Sequence, residues 1–185
     1  MKRFIAALLA GLTLFALVGC SAGSKADSAA PKDYSQILHD ARTDEENEYD
    51  MIITKGEDGK FTAIDGYSAE YEAGQLDDEV RNLMMPLLNL EDDMYTDLAA
   101  SVSSMMVRSY AVAIVKPAEG KTDAVREALD AYVTSDQQSM EHYLEDKYQI
   151  AKAATVTVAP TGEVILVCAE NHDTLLANIE KALAA

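Results

Sequence analysis

The stretch Tyr110-Ala111-Val112-Ala113-Ile114-Val115-Lys116 decides the fold. Its side chains are apolar on both alternations. A half-exposed strand would alternate apolar with polar residues, so this one is read as a central strand. Upstream, Leu98 to Ser104 is a second strand candidate, joined to the first across Met105-Met106-Val107-Arg108. Downstream, Pro117 to Lys121 is a loop containing Gly120, and Thr122 opens the longest helical pattern of the chain. Its apolar positions, Val125, Leu129, Tyr132, Val133, Met140, Tyr143, Leu144, Tyr148 and Ala151, recur at three and four residues. The polar gap Thr134 to Ser139 predicts a kink. Thr155-Val156-Thr157-Val158, the turn Pro160-Thr161-Gly162 and Val164 to Ala169 form the clearest hairpin. Asn171 or Asp173 then caps a last helix striped by Leu175, Leu176, Ile179 and Leu183. The expected fold class is α+β: an antiparallel sheet of about four strands, near residues 97–104, 109–116, 154–159 and 163–169, built from two hairpins each followed by a helix, with the helices on one face. Val112, Ile114, Val156, Val158, Val164 and Leu166 are the expected core residues.

Working back toward the N-terminus, Asp77 or Asp78 caps a helix through Leu83, Met84, Leu87 and Leu88, which Pro86 must bend or end. Glu91-Asp92-Asp93 makes a turn. The stretch 34–76 is an N-terminal extension. It offers a short helix from Tyr34 to Arg42, the acidic cluster Asp44, Glu45, Glu46 and Glu48 read as a solvated face, and a hairpin of Met51 to Thr54 with Phe61 to Ile64 around Asp58-Gly59. Gly66 to Leu76 has no period and reads as irregular. Residues 20–33 are a flexible tether of small and polar residues. Residues 1–19 carry a different pattern: Lys2 and Arg3, then a 15-residue apolar run from Phe4 to Val18 broken only by Gly11 and Thr13, closing on Leu17-Val18-Gly19-Cys20. A membrane span needs about 20 apolar residues. The shorter run is similar to bacterial lipoprotein signals, in which cleavage precedes a cysteine whose sulfur takes the lipid. Cys20 is therefore the expected lipidation site. Each buried methylene adds about 0.8 kcal/mol, so two or three acyl chains anchor a protein stably to a membrane surface.

Cleavage before Cys20 removes Lys2 and Arg3 but no acid, which takes the formal charge from −17 to −19. Such a surface excludes nucleic acid as a partner, because phosphate backbones are held by surplus Lys and Arg. It also repels anionic head groups, so the domain is expected to stand off the membrane. With aromatics at 6% and no Trp, while apolar residues make up 49%, the core must come from Ala, Val, Leu, Ile and Met. Cys168, inside Val164 to Ala169, reads as a small buried core residue.

The order of elements from Asp77 to Ala184 resembles the small bacterial lipoproteins of domain of unknown function 4358. The resemblance is carried by Tyr110 to Lys116, the Val125 to Tyr132 helix, Tyr143 through Tyr148 to Ala153, and Gly162-Glu163-Val164-Ile165-Leu166-Val167. It implies an exported lipoprotein and supplies no active-site residue. The residues themselves offer no nucleophile motif, phosphate-binding glycine pattern, zinc motif or calcium loop. His39, His142 and His172 fall on different elements. Glu141 and His142 with Glu145 one turn on could face a metal, but three or four converging ligands are the rule for zinc. Met84-Met85, Met94 and Met105-Met106 read as core filling rather than copper ligands. No catalytic, cofactor or metal residue is therefore expected. The expected function is a membrane-anchored extracytoplasmic binding or interaction module without catalysis, its partner a basic envelope protein or a divalent cation. The alternative is a cell-envelope hydrolase with a carboxylate-based site.

Overall fold

The computed structural model describes residues 32–72, 74–105 and 107–185. The signal-like run, Cys20, most of the tether and Met106 lie outside the described residues. The elements in chain order are α1 (Tyr34–Ala41), α2 (Asp44–Tyr49), β1 (Ile52–Lys55), β2 (Phe61–Ile64), a 3-10 turn (Gly66–Glu70) and α3 (Gln75–Glu79). After α3 come a π-helical turn (Val80–Met84) and α4 (Met85–Leu87), then β3 (Tyr95–Val102), β4 (Ala111–Pro117), α5 (Thr122–Met140), α6 (Glu145–Ala153), β5 (Thr155–Val158), β6 (Val164–Cys168) and α7 (His172–Leu183).

The sheet is antiparallel throughout, in the order β2-β1-β3-β4-β6-β5. It has six strands rather than about four, because the hairpin of the extension pairs onto β3 through Ile53 opposite Ala100 and Thr54 opposite Ala99. The sheet thus runs across the boundary drawn at residue 77. Ile52 and Ile53 make this possible: both are buried, and neighbours on a strand point to opposite faces, so each serves a different core.

The helices cover both faces rather than one. Ala111, Ala113 and Val115 of β4, with Val164, Leu166 and Cys168 of β6, pack under Val125, Leu129 and Tyr132 of α5 and under Val80, Met84 and Leu88. Val112 and Ile114, with Ile165 and Val167, pack under Leu38 of α1 and under Leu175, Ile179 and Leu183 of α7. The cause is legible in β4 itself: a strand apolar on both alternations needs a layer of cover on each side. β4 and β6 are central, and Val112, Ile114, Val164 and Leu166 are fully buried as expected. Val158 is 40% exposed and Val156 only partly buried, because β5 is an edge strand with nothing beyond it.

Two helix irregularities follow from local chemistry. Pro86 has no N–H to give the carbonyl four residues back, and the helix widens just before it, with the Met85 N–H reaching the Val80 carbonyl and the helix stopping at Leu87. The long helix does not kink at Thr134 to Ser139. Thr134 and Ser139 return their hydroxyls to the carbonyls of Asp130 and Ser135, at 2.9 and 2.8 Å, and stay helical. The break comes later, at 141–144, before α6.

Asp136 sits on that polar segment and turns inward, accepting a bond from the Cys168 thiol at 3.7 Å. Burial raises its carboxyl above the ordinary 3.8, and burial and the facing carboxylate push the thiol up to about 12. The folded chain thus holds the Asp136 proton more tightly than the unfolded chain does. The resulting stabilisation is complete below pH 3.8 and is lost as pH rises through the raised value. Asp136→Asn is expected to raise the Tm at pH 7 and to flatten its fall between pH 4 and 7, as scanning calorimetry would show. An unchanged slope would remove Asp136 as its source.

Candidate functional site

A cleft of about 850 Å³ opens at the end of the sheet where β3 leaves and β4 returns. Ile53, Met84, Val102 and Ile150 supply apolar wall, and Tyr49, Tyr67 and Tyr71 supply aromatic wall. Five carboxylates face it, Glu45, Glu46, Asp50, Glu79 and Glu170, against two cations, Arg108 and Lys147.

The site is positioned by a buried arginine. Arg42, whose side chain is wholly buried, ends α1 and donates to Asn47 Oδ1 at 2.8 Å, Ser101 Oγ at 3.0 Å, Tyr110 OH at 3.4 Å, the Asp50 carbonyl at 3.0 Å and Asp65 Oδ2 at 3.1 Å. It thereby ties α1, α2, the sheet and the loop after β2 together. Asp65 also meets His39 Nδ1 at 2.8 Å and stands at φ 63°, a conformation non-glycine residues adopt when their surroundings hold them there. The next residue, Gly66, lies so close to the backbone that an added Cβ would come within 2.7 Å of Met51 N. That close approach fixes where Tyr67 emerges over the cleft.

The second fixed element is Arg108, in the β3–β4 connection. It grips Asp50 with both terminal nitrogens, the second at 2.7 Å, and lies 4.5 Å from the centre of the Tyr110 ring. The bond from Asp50 raises the guanidinium further, so its charge is permanent. Burial pushes the Tyr110 hydroxyl up to about 12, which keeps it protonated. The acidic helix α2 is locally determined. Thr43 and Glu46 form a reciprocal cap, and Asp44, Glu45 and Glu46 fall in the first turn, where the helix dipole favours them. Asn171 adds a bond to Glu46 Oε2 at 3.0 Å.

Pairing leaves the cleft unbalanced. Arg108 is matched by Asp50, and Lys147 by Glu170 at 3.1 Å. Glu79 accepts from the Tyr71 hydroxyl at 2.9 Å. Among the described residues, Glu45, Glu46 and Glu79 have no ion-pair partner. Tyr49 and Tyr67, 49% and 52% exposed, sit with ring centres 6.5 Å apart. At the floor, Ser109 is 3% exposed, and its hydroxyl, though near Asp136, reaches hydrogen-bonding geometry with no partner among the described residues. The arrangement can hold a positive charge beside aromatic faces. Among the described residues no cleft hydroxyl is bonded to a histidine.

The two acidic segments have different fates. Asp44 to Glu48 lies on the cleft helix, whereas Asp92 pairs with Lys55 and Arg81, and Asp93 with Lys121, at the other end of the sheet. His142 stands in solvent, 3.9 Å from Glu141, and His172 bonds Thr155 and Asp173 beside α7. Among the described residues no three His, Cys, Asp or Glu converge as a metal site. Met84 and Met85 fill the core, while Met105 is 56% exposed at the cleft rim. Arg42, Asp50, Arg108 and the cleft tyrosines do not stand out in the sequence. The available signals were an Arg behind apolar residues in a hairpin connection, where Gly or Asn is usual, and the aromatics at Tyr67 and Tyr71 in a stretch without period.

No curated protein and no solved structure matches the chain. A family model described as Domain of unknown function (DUF4358) matches residues 67–169, from Tyr67 of the cleft to the end of β6, leaving α1, α2 and the first hairpin outside. That match spans more than half of the chain, which therefore belongs to this family.

Proposed function

We propose that the protein is a lipoprotein held on the outer face of the cell membrane through Cys20, and that its domain is a binding module without catalysis whose partner is basic. The observation that carries this reading is the charge left over in the cleft. Both cations are already paired, and three carboxylates are not. The position of the N-terminus supports it. Lys32 donates to the Leu183 carbonyl and Tyr34 to Glu163 at 2.9 Å, at the end of the sheet away from the cleft, so the chain enters the domain without occupying the cleft. Among the described residues no helix is long and apolar enough to cross a membrane.

The test uses polylysine as the basic probe. Its affinity is expected to fall severalfold between about 50 and 300 mM salt, because exposed charges are screened. Glu45→Gln with Glu46→Gln is expected to weaken binding and reduce the salt dependence, and Gln at 46 keeps the helix cap. Unchanged affinity and salt dependence in the double variant would contradict the reading. In cells, Cys20→Ala is expected to abolish fatty-acid labelling and membrane retention together.

A further inference from the structure

We propose that the cleft is built to receive one arginine side chain of an extended peptide, an inference that rests on the binding role above and names what is bound. Two observations converge on it. Glu45 and Glu46 are consecutive on α2 and have no cation of their own, so a guanidinium beside them offsets part of the unmatched charge of the cleft. The Tyr49 and Tyr67 rings, half-exposed and tilted 53° to each other, offer faces to a planar cation.

The other ligand chemistries fit less well. An anion would meet two cations already neutralised and three carboxylates without an ion-pair partner among the described residues. A divalent metal needs converging oxygen ligands, and among the described residues no such group of three forms. A free amino acid would leave most of the 850 Å³ empty, including the apolar wall of Met84, Val102 and Ile150. A peptide fills it: the arginine stem lies along that wall, its head reaches the carboxylates, and a flanking residue covers Met105, 56% exposed at the rim.

The experiment is an NMR and calorimetric titration of the full chain in detergent micelles with three probes: a blocked pentapeptide carrying one central arginine, the same peptide with citrulline, and free arginine amide. The arginine peptide is expected to shift the amides of Tyr67, Met105 and Ser109. Citrulline, which keeps the shape and loses the charge, and Tyr67→Leu are each expected to weaken binding on the order of tenfold, the scale of one desolvated cation–π contact or charge pair. Equal binding of the citrulline peptide, or of arginine amide, would overturn the proposal. So would shifts confined to other surfaces while polylysine still binds in a salt-dependent way, an outcome that leaves the broader binding role standing. Failure of every basic probe would overturn both.

Discussion

Arg42→Met is expected to destabilise the domain by about 3–5 kcal/mol, the cost of breaking a buried ion pair from one side. Methionine keeps the apolar stem, so the loss isolates the guanidinium. Five acceptors lose their donor at once, among them Asp65, whose side chain is 15% exposed, and the Asp50 carbonyl. Arg42→Lys should recover little, since an ammonium cannot span acceptors that a planar fork reaches. Urea unfolding checks this through a lower midpoint at unchanged slope. A loss below about 1 kcal/mol, the scale of an exposed pair, would mean that water replaces the network. The effect should reach function too, because Asp50 holds Arg108.

Ile114→Ala is expected to cost about 2–5 kcal/mol, whereas Val158→Ala should stay within about 1 kcal/mol. Both residues are β-branched and lie in strands, but Ile114 is wholly buried between β3 and β6 and Val158 ends β5 on the open edge. Deleting buried methyls leaves a cavity, and deleting half-exposed ones does not. Equal losses at the two positions in urea melts would contradict the strand order.

The contrast between the apolar β4 and the Thr-Val-Thr-Val strand β5 shows where sequence reading succeeds and stops. Period and turn residues locate β5 and β6 well, since alternation and Pro160-Thr161-Gly162 are local signals. Position within a sheet is not local. β5 alternates cleanly because its outer side meets solvent, and the same alternation would suit a central strand of a sheet with one wet face. The second helical layer was implied by β4, whose apolar residues on both alternations need cover twice. The extension was harder to place: Ile52 and Ile53 fit a lone hairpin as well as a sheet edge, and only the pairing with Ala99 and Ala100 separates the two. For the site, the sequence offered Glu45 and Glu46 only as part of a charge run that reads as a solvated face. Arg42, Asp50, Asp65, Arg108 and Ser109 come from four separate segments, and no spacing rule links them. Their convergence depends on long-range strand pairing, which the residues do not announce individually. Cys168 reads correctly as core, but its carboxylate neighbour Asp136 arrives from α5 across the layer.

The central claim is that the cleft is where a partner meets the molecule. Photo-crosslinking on intact membranes tests this directly, with a photoreactive residue at Tyr67 on the cleft and, as the paired control, at the exposed Glu119 in the loop after β4, at the far end. The account predicts a discrete adduct from position 67 that diminishes with added salt and with Glu45→Gln and Glu46→Gln, and none from position 119. Adducts that form equally from both positions, or from 67 with no response to salt or to the double substitution, would contradict it.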